Sequence, residues 1–128
     1  MKPLSVLVVD DVEAFGRLLA EGLRESGHRV ALAVNGADAA AMLSKVHFDV
    51  VVTDIIMPVS DGFELIEAVR RSQPTAKVIA MSGGGKLYSA DACLEAAREA
   101  AVDSVMEKPF GPQALKEAIA RLFGSAGA

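Results

Sequence analysis

Five polar side chains in this 128-residue chain stand where an apolar run gives way to a loop. Asp10 and Asp11 follow Leu4–Val9, Asp54 follows Val50–Thr53, Ser82 follows Val78–Met81, and Lys108 follows Ser104–Glu107. In a parallel α/β sheet the loops after the strands all leave from the carboxyl edge, so these residues converge although they are far apart in sequence. Convergence puts three carboxylates, one hydroxyl and one ammonium in a single site. Crowded carboxylates raise one another's pKa and require a shared cation or proton. A hard divalent ion such as Mg²⁺, held by oxygen ligands and keeping some water for a phosphate, suits that set. A metal-bound carboxylate beside a lysine is equipped to receive a phosphoryl group.

The elements that must position these groups follow from hydropathy patterning. β-Branched apolar runs alternate with helix-period segments five times. Leu4–Val9, Val50–Thr53 and Val78–Met81 are almost continuous in Val, Ile and Leu, as strands buried on both faces are; Arg29–Ala33 and Ser104–Glu107 are more mixed and suit flanking strands. Phe15, Leu18, Leu19 and Leu23 form one helical stripe over 12–26, ended by Gly27. Ile66 and Val69 belong to a helix stopped by Pro74. Leu115, Ala118, Ile119 and Leu122 form another, opened by Pro112 and closed by Gly124. A helix over about 91–101 is rich in Ala, with Leu94 as its one bulky aliphatic residue, and should pack thinly. The pattern is α/β, (βα)₅, with right-handed crossovers and helices on both faces of a parallel sheet. Gly83–Ser89 is the one irregular stretch inside it.

Taken together, Asp10-Asp11, Asp54 with Met57-Pro58 and Asp61-Gly62 behind it, Ser82-Gly83, and Lys108-Pro109-Phe110 resemble the receiver domain of two-component response regulators. The resemblance runs from about Leu4 to Leu122. It implies a flavodoxin-like fold of strand order 2-1-3-4-5, with Asp54 as phosphoacceptor and Mg²⁺ as cofactor. By the same resemblance Asp11 binds the metal directly, Asp10 acts mainly through a bound water, and the backbone carbonyl of Ile56 is a third contact. Lys108 pairs with Asp54 and then with a phosphoryl oxygen, aided by a Lys108–Pro109 bond that is commonly cis. Ser82 donates its hydroxyl to the phosphoryl group. The implied partners are a sensor histidine kinase or histidine phosphotransfer protein, and a downstream protein docking on the fourth helix, fifth strand and fifth helix.

Each residue also has a plainer reading. Asp54 alone could cap the turn before Pro58, Asp10 and Asp11 could favour the positive end of the first helix, and Ser82 before three glycines could be a turn residue. The ordered set, each member at its own strand end, favours chemistry. The sequence departs from the receiver pattern at Val105, where a switching aromatic is usual. It departs again in the longer interval between Ser82 and Lys108. Ile56 and Gly84, which would flank an attacking water, cannot hydrogen-bond it. Three other classes fit the residues less well. An aspartyl-phosphate hydrolase of the haloacid dehalogenase type needs a second Asp at position 56. A receiver-like module that is never phosphorylated has no use for the intact acidic set. A flavodoxin-like cofactor site would have two carboxylates facing a phosphate. Gly83-Gly84-Gly85-Lys86 lacks the first Gly and the final Ser/Thr of a phosphate-binding loop, with Ala80 and Leu87 in those places.

Composition narrows the class. The length suits one domain, residues 1–128, with a core of about 4–123, a short tail over 124–128 and no output domain. Thirteen basic against seventeen acidic side chains give a net charge of −4, with no Lys/Arg run, which argues against nucleic-acid binding. No apolar run approaches a membrane span, and no signal peptide leads the chain. Lone Cys93 agrees with a reducing, cytoplasmic setting. His28 and His47 have no ligand-spaced companions and read as surface residues. Met42, Met57, Met81 and Met106 read as packing. The expectation is a single-domain response regulator that is a signalling domain rather than an enzyme.

Overall fold

The computed structural model describes residues 3–54, 62–82 and 102–123. In chain order they form β1 (Ser5–Val9), α1 (Glu13–Glu25), β2 (Arg29–Ala33), α2 (Gly36–Leu43), β3 (Val50–Asp54), α3 (Gly62–Ser72), β4 (Lys77–Ser82), β5 (Ser104–Glu107) and α4 (Pro112–Leu122). Every strand pair is parallel and the order is β2-β1-β3-β4-β5, the flavodoxin-like arrangement expected. The helix expected over 91–101, the Gly83–Ser89 segment and Ile56 lie outside the described residues, so the helix expected as fifth is α4.

Side chains alternate across each strand, and that period of two divides the core into two layers. Val6, Val8, Val50, Val52, Ile79 and Met81 pack with Leu19 and Leu23 of α1 and Leu115, Ala118 and Ile119 of α4. Leu7, Val9, Val51 and Val78 pack on the opposite face with Leu43 of α2 and Leu65, Ile66 and Val69 of α3. The three central strands are buried on both faces, whereas β2 and β5 are only partly covered, as their mixed sequences predict.

Leu18 departs from its expected place in the α1 stripe, being 49% exposed. At 3.6 residues per turn it falls a full 100° from Leu19, on the flank. The buried arc is instead completed by Gly16, Ala20 and Gly22. Small residues there let the helix lie close. A Cβ on Gly22 would sit 2.3 Å from Cβ of Pro112, the first residue of α4. The end of α1 is also built on glycine: Gly27, at φ 95°, donates to Arg24 O at 2.9 Å while His28 donates to Leu23 O at 3.2 Å. These two bonds make a Schellman cap, which needs a left-handed residue at that position.

His28 also departs from expectation. It is buried rather than on the surface, and its Nδ1 accepts a hydrogen bond from the Leu4 N–H at 3.0 Å. Burial, with Lys116 and the amino terminus nearby, holds its pKa below the ordinary 6.5. His47 is exposed, as expected.

Two outcomes follow from these contacts. Gly22→Ala sets an overpacking cost of about 1–3 kcal/mol against a helix-propensity gain of about 1 kcal/mol, so denaturant titration should show a net loss of stability. A variant as stable as the parent would show that α4 gives way freely. A native imidazole held neutral binds fewer protons than the unfolded chain just below pH 6.5. Stability is therefore fully present above 6.5 and declines as pH falls from there through the native pKa. An NMR titration of His28 with a midpoint at or above 6.5 would contradict this.

Candidate functional site

The sheet register brings the acidic residues together. Val9 lies opposite Thr53, so Asp10 and Asp54 are the next residues along neighbouring strands. Asp10 is fully buried. Its N–H donates to Ala33 O at 3.0 Å, fixing it to the end of β2. Its Oδ1 accepts from the Val12 N–H at 2.9 Å, and Val12 is itself the N-cap residue of α1, without a side-chain cap. This bond ties Asp10 to the residue that opens α1. Asp54 is the last residue of β3 rather than a loop residue, and it too is buried. Beside it, buried Thr53 donates its hydroxyl to Asp54 O at 3.0 Å.

Lys108 Nζ donates to Asp10 Oδ2 and to Asp54 Oδ2, each at 2.8 Å. The backbone just after β5 delivers it: Lys108 N–H donates to Ser82 O at 2.6 Å, and the Lys108–Pro109 peptide, whose state the sequence left open, is cis. Phe15, in the first turn of α1, lies under the ammonium with its ring centroid 4.9 Å from Nζ. Phe110 meets that ring edge-on at 5.4 Å.

The electrostatics follow from this crowding. Burial raises the Asp54 pKa above the usual carboxylate value; Lys108 opposes that rise, while the charges of Asp10 and Asp11 add to it. Burial acts to lower the pKa of Lys108, but its hydrogen bonds to Asp10 and Asp54 outweigh burial and leave it raised, so the ammonium keeps its proton. Asp10, Asp11 and Asp54 each offer a carboxylate oxygen, all within 4.8 Å of one another. Asp11 is exposed, which opens the cluster to water and ions. An all-oxygen, anionic donor set of this size fits a hard divalent cation.

Of the residues singled out in the sequence, Asp10, Asp11, Asp54 and Lys108 come together here. Ser82 ends β4 next to Lys108; its hydroxyl is buried and has no hydrogen-bond partner among the described residues. Ile56 lies outside them. The stripe reading of α1 did not single out Phe15 as a neighbour of Lys108, and the interval between positions 15 and 108 gives no local signal of that contact. A groove of about 570 Å³ between α2 and α3, lined by Ala37, Ala40 and Ala68 with Glu67 and Arg71, lies apart from this cluster.

A family model described as a response regulator receiver domain matches residues 6–120. A response regulator receiver protein of Anaeromyxobacter sp. (strain Fw109-5) is 41% identical over 103 residues, which are 80% of this chain and 42% of that protein. The sensor histidine kinase RcsC of Escherichia coli (strain K12) is 34% identical over 116 residues, 91% of this chain and 12% of that protein. The chain thus spans less than half the length of these curated relatives. Among solved structures, a CheY-like response regulator receiver domain protein from Methanospirillum hungatei JF-1 superposes with a TM-score of 0.83 at 26% identity. That alignment covers 94% of this chain and 93% of the other. With the match running from the second residue of β1 almost to the end of α4, the chain belongs to the family of response regulator receiver domains.

Proposed function

We propose that this receiver accepts a phosphoryl group on Asp54 from the phosphohistidine of a sensor histidine kinase or a histidine phosphotransfer protein. The observation that carries the reading is the Lys108 ammonium, 2.8 Å from both Asp10 and Asp54, within a cluster that Asp11 completes. Asp10, Asp11, Asp54 and the backbone carbonyl of Ile56 would hold Mg²⁺. The ion would neutralise the charge on the phosphoryl oxygens. An Asp54 carboxylate oxygen forms the new bond to phosphorus as the phosphorus–nitrogen bond of the donor breaks, its electron pair returning to the imidazole. Lys108 exchanges its Asp54 oxygen for a phosphoryl oxygen, and the Ser82 hydroxyl donates to another.

The domain assists this transfer as a signalling unit in the cytoplasm rather than acting as an enzyme on a separate substrate. Output goes to a protein partner, or onward by phosphorelay, through β5, α4 and the segment over 91–101, without contact to nucleic acid or membrane. Among the described residues no helix is long and apolar enough to cross a membrane. Val105 in β5 has no ring, so that output cannot use an aromatic swing at that position.

Asp54→Asn removes the nucleophile with little change of volume and should abolish labelling by a small phosphodonor in Mg²⁺. Undiminished labelling, with mass spectrometry placing the phosphate elsewhere, would exclude Asp54 as acceptor. The raised native pKa of Asp54 means that its ionisation costs stability at neutral pH, a cost that sets in as pH rises through its unfolded value towards the native one. The same variant should therefore melt higher than the parent in the absence of metal.

Mg²⁺ binds only the folded cluster, so at tenfold over its dissociation constant it should add about 1.4 kcal/mol of stability. Asp11→Ala should blunt that response. A parent melting temperature indifferent to millimolar Mg²⁺ would count against the metal site.

A further inference from the structure

Lys108 is held from two sides. Its ammonium has three N–H donors, and two of them reach Asp10 and Asp54. A further contact among the described residues is the Phe15 ring, 4.9 Å from Nζ at its centroid. An aromatic face attracts a cation through its quadrupole, and the attraction strengthens where water is excluded. Only 17% of the Lys108 side chain is exposed. Phe15 is itself fixed: it packs against the α1–α4 layer, and Phe110 abuts it edge-on at an interplanar angle of 84°. Phe110 follows Lys108 by two residues, so the chain that supplies the cation also supports the ring beneath it.

We propose that Phe15 is a positioning residue for phosphoryl transfer, keeping the Lys108 ammonium over the carboxylate pair through the face of its ring. The two oxygen contacts cannot do this throughout the reaction. Asp54 Oδ2 is in the group that reacts, and both carboxylates belong to the cluster that would take up a cation. As those oxygens change partners, the ammonium loses the bonds that fix it. The ring contact involves no oxygen and persists through the exchange, so Lys108 meets the incoming phosphoryl group already in place rather than after a rotamer search. Phe15 touches neither the donor nor the phosphorus and acts through Lys108 alone. The proposal rests on the phospho-receiver reading for its consequence, but not for the contact itself.

The test compares the parent with Phe15→Leu and Phe15→Met, which keep apolar bulk without a ring, and with Phe15→Tyr, which keeps the ring. In the unphosphorylated proteins, NMR of isotope-labelled lysine reads the ring-current displacement of the Lys108 methylene protons next to Nζ. They should lie upfield in the parent and Phe15→Tyr, and move to ordinary positions in both ringless variants. With a small phosphodonor and Mg²⁺, the ringless variants should label about three- to tenfold more slowly at saturation. Half-saturating donor and Mg²⁺ concentrations should stay unchanged, and Phe15→Tyr should restore the rate. Two independent ringless variants guard against misfolding of either. Undisplaced Lys108 resonances in the parent would overturn the proposal, as would parental rates in both ringless variants or a Phe15→Tyr protein as slow as they are. If the parent never labels, the phospho-receiver reading fails and the kinetic role with it, while the resonances still decide whether the ring holds the lysine.

Discussion

Two carboxylates that a parallel sheet forces side by side, buried and facing each other, are held together by one ammonium. Asp10 is fully buried and Asp54 almost so. Leaving either ionised in that setting without a counter-charge is strongly unfavourable, since loss of one partner from a buried pair costs about 3–5 kcal/mol. Lys108 answers both charges at 2.8 Å, and its hydrogen bonds keep it protonated despite burial. The arrangement balances without being tight. Asp54 still carries a raised pKa, so the cluster retains a net demand for positive charge. That residual demand links the resting structure to its chemistry, because it favours the arrival of a cation.

Everything around this pair serves to bring strand ends and helix starts into close quarters. Pairing of Val9 with Thr53, and of Ser82 with Glu107, sets the positions of Asp10, Asp54, Ser82 and Lys108 to within one residue of a strand end. A slip of one residue in either ladder would turn the affected side chains to the opposite face of the sheet. Small residues hold α1 close enough to matter. Gly16 would bring a Cβ within 2.8 Å of a Leu32 methyl, and Gly22 allows α4 to touch α1 at Pro112. Phe15 immediately precedes the first of these glycines, where α1 runs beneath the lysine.

The strands and their order of burial were legible because continuous Val, Ile and Leu runs have few other uses at that length. The carboxylate and lysine positions were legible because strand ends in such a sheet share an edge. Leu18 and His28 were not. A stripe read as Leu18-Leu19 leaves open on which side of the helix the centre falls, and here the glycines decide it. The burial of His28 depends on an acceptor for the Leu4 N–H, a backbone requirement that no side-chain pattern announces. The contact between Phe15 and Lys108 joins residues near opposite ends of the chain through two different elements, so it appears only once α1 is laid on the sheet. The Lys108–Pro109 bond, commonly cis in the family the chain resembles, was left open by the sequence and is cis.

The sheet's outermost strands carry one more consequence. β2 has five residues and β5 four, and exposed Arg29 opens the one while exposed Glu107 closes the other. Short, charged outer strands give a passing chain few free backbone groups to pair with, which is how natural sheets resist edge-to-edge aggregation. The same property makes strand addition a poor means of recognition for this protein. A partner must then read side chains presented by helices and loops, a surface whose charge and shape can change by substitution without disturbing the hydrogen-bonded ladder beneath it.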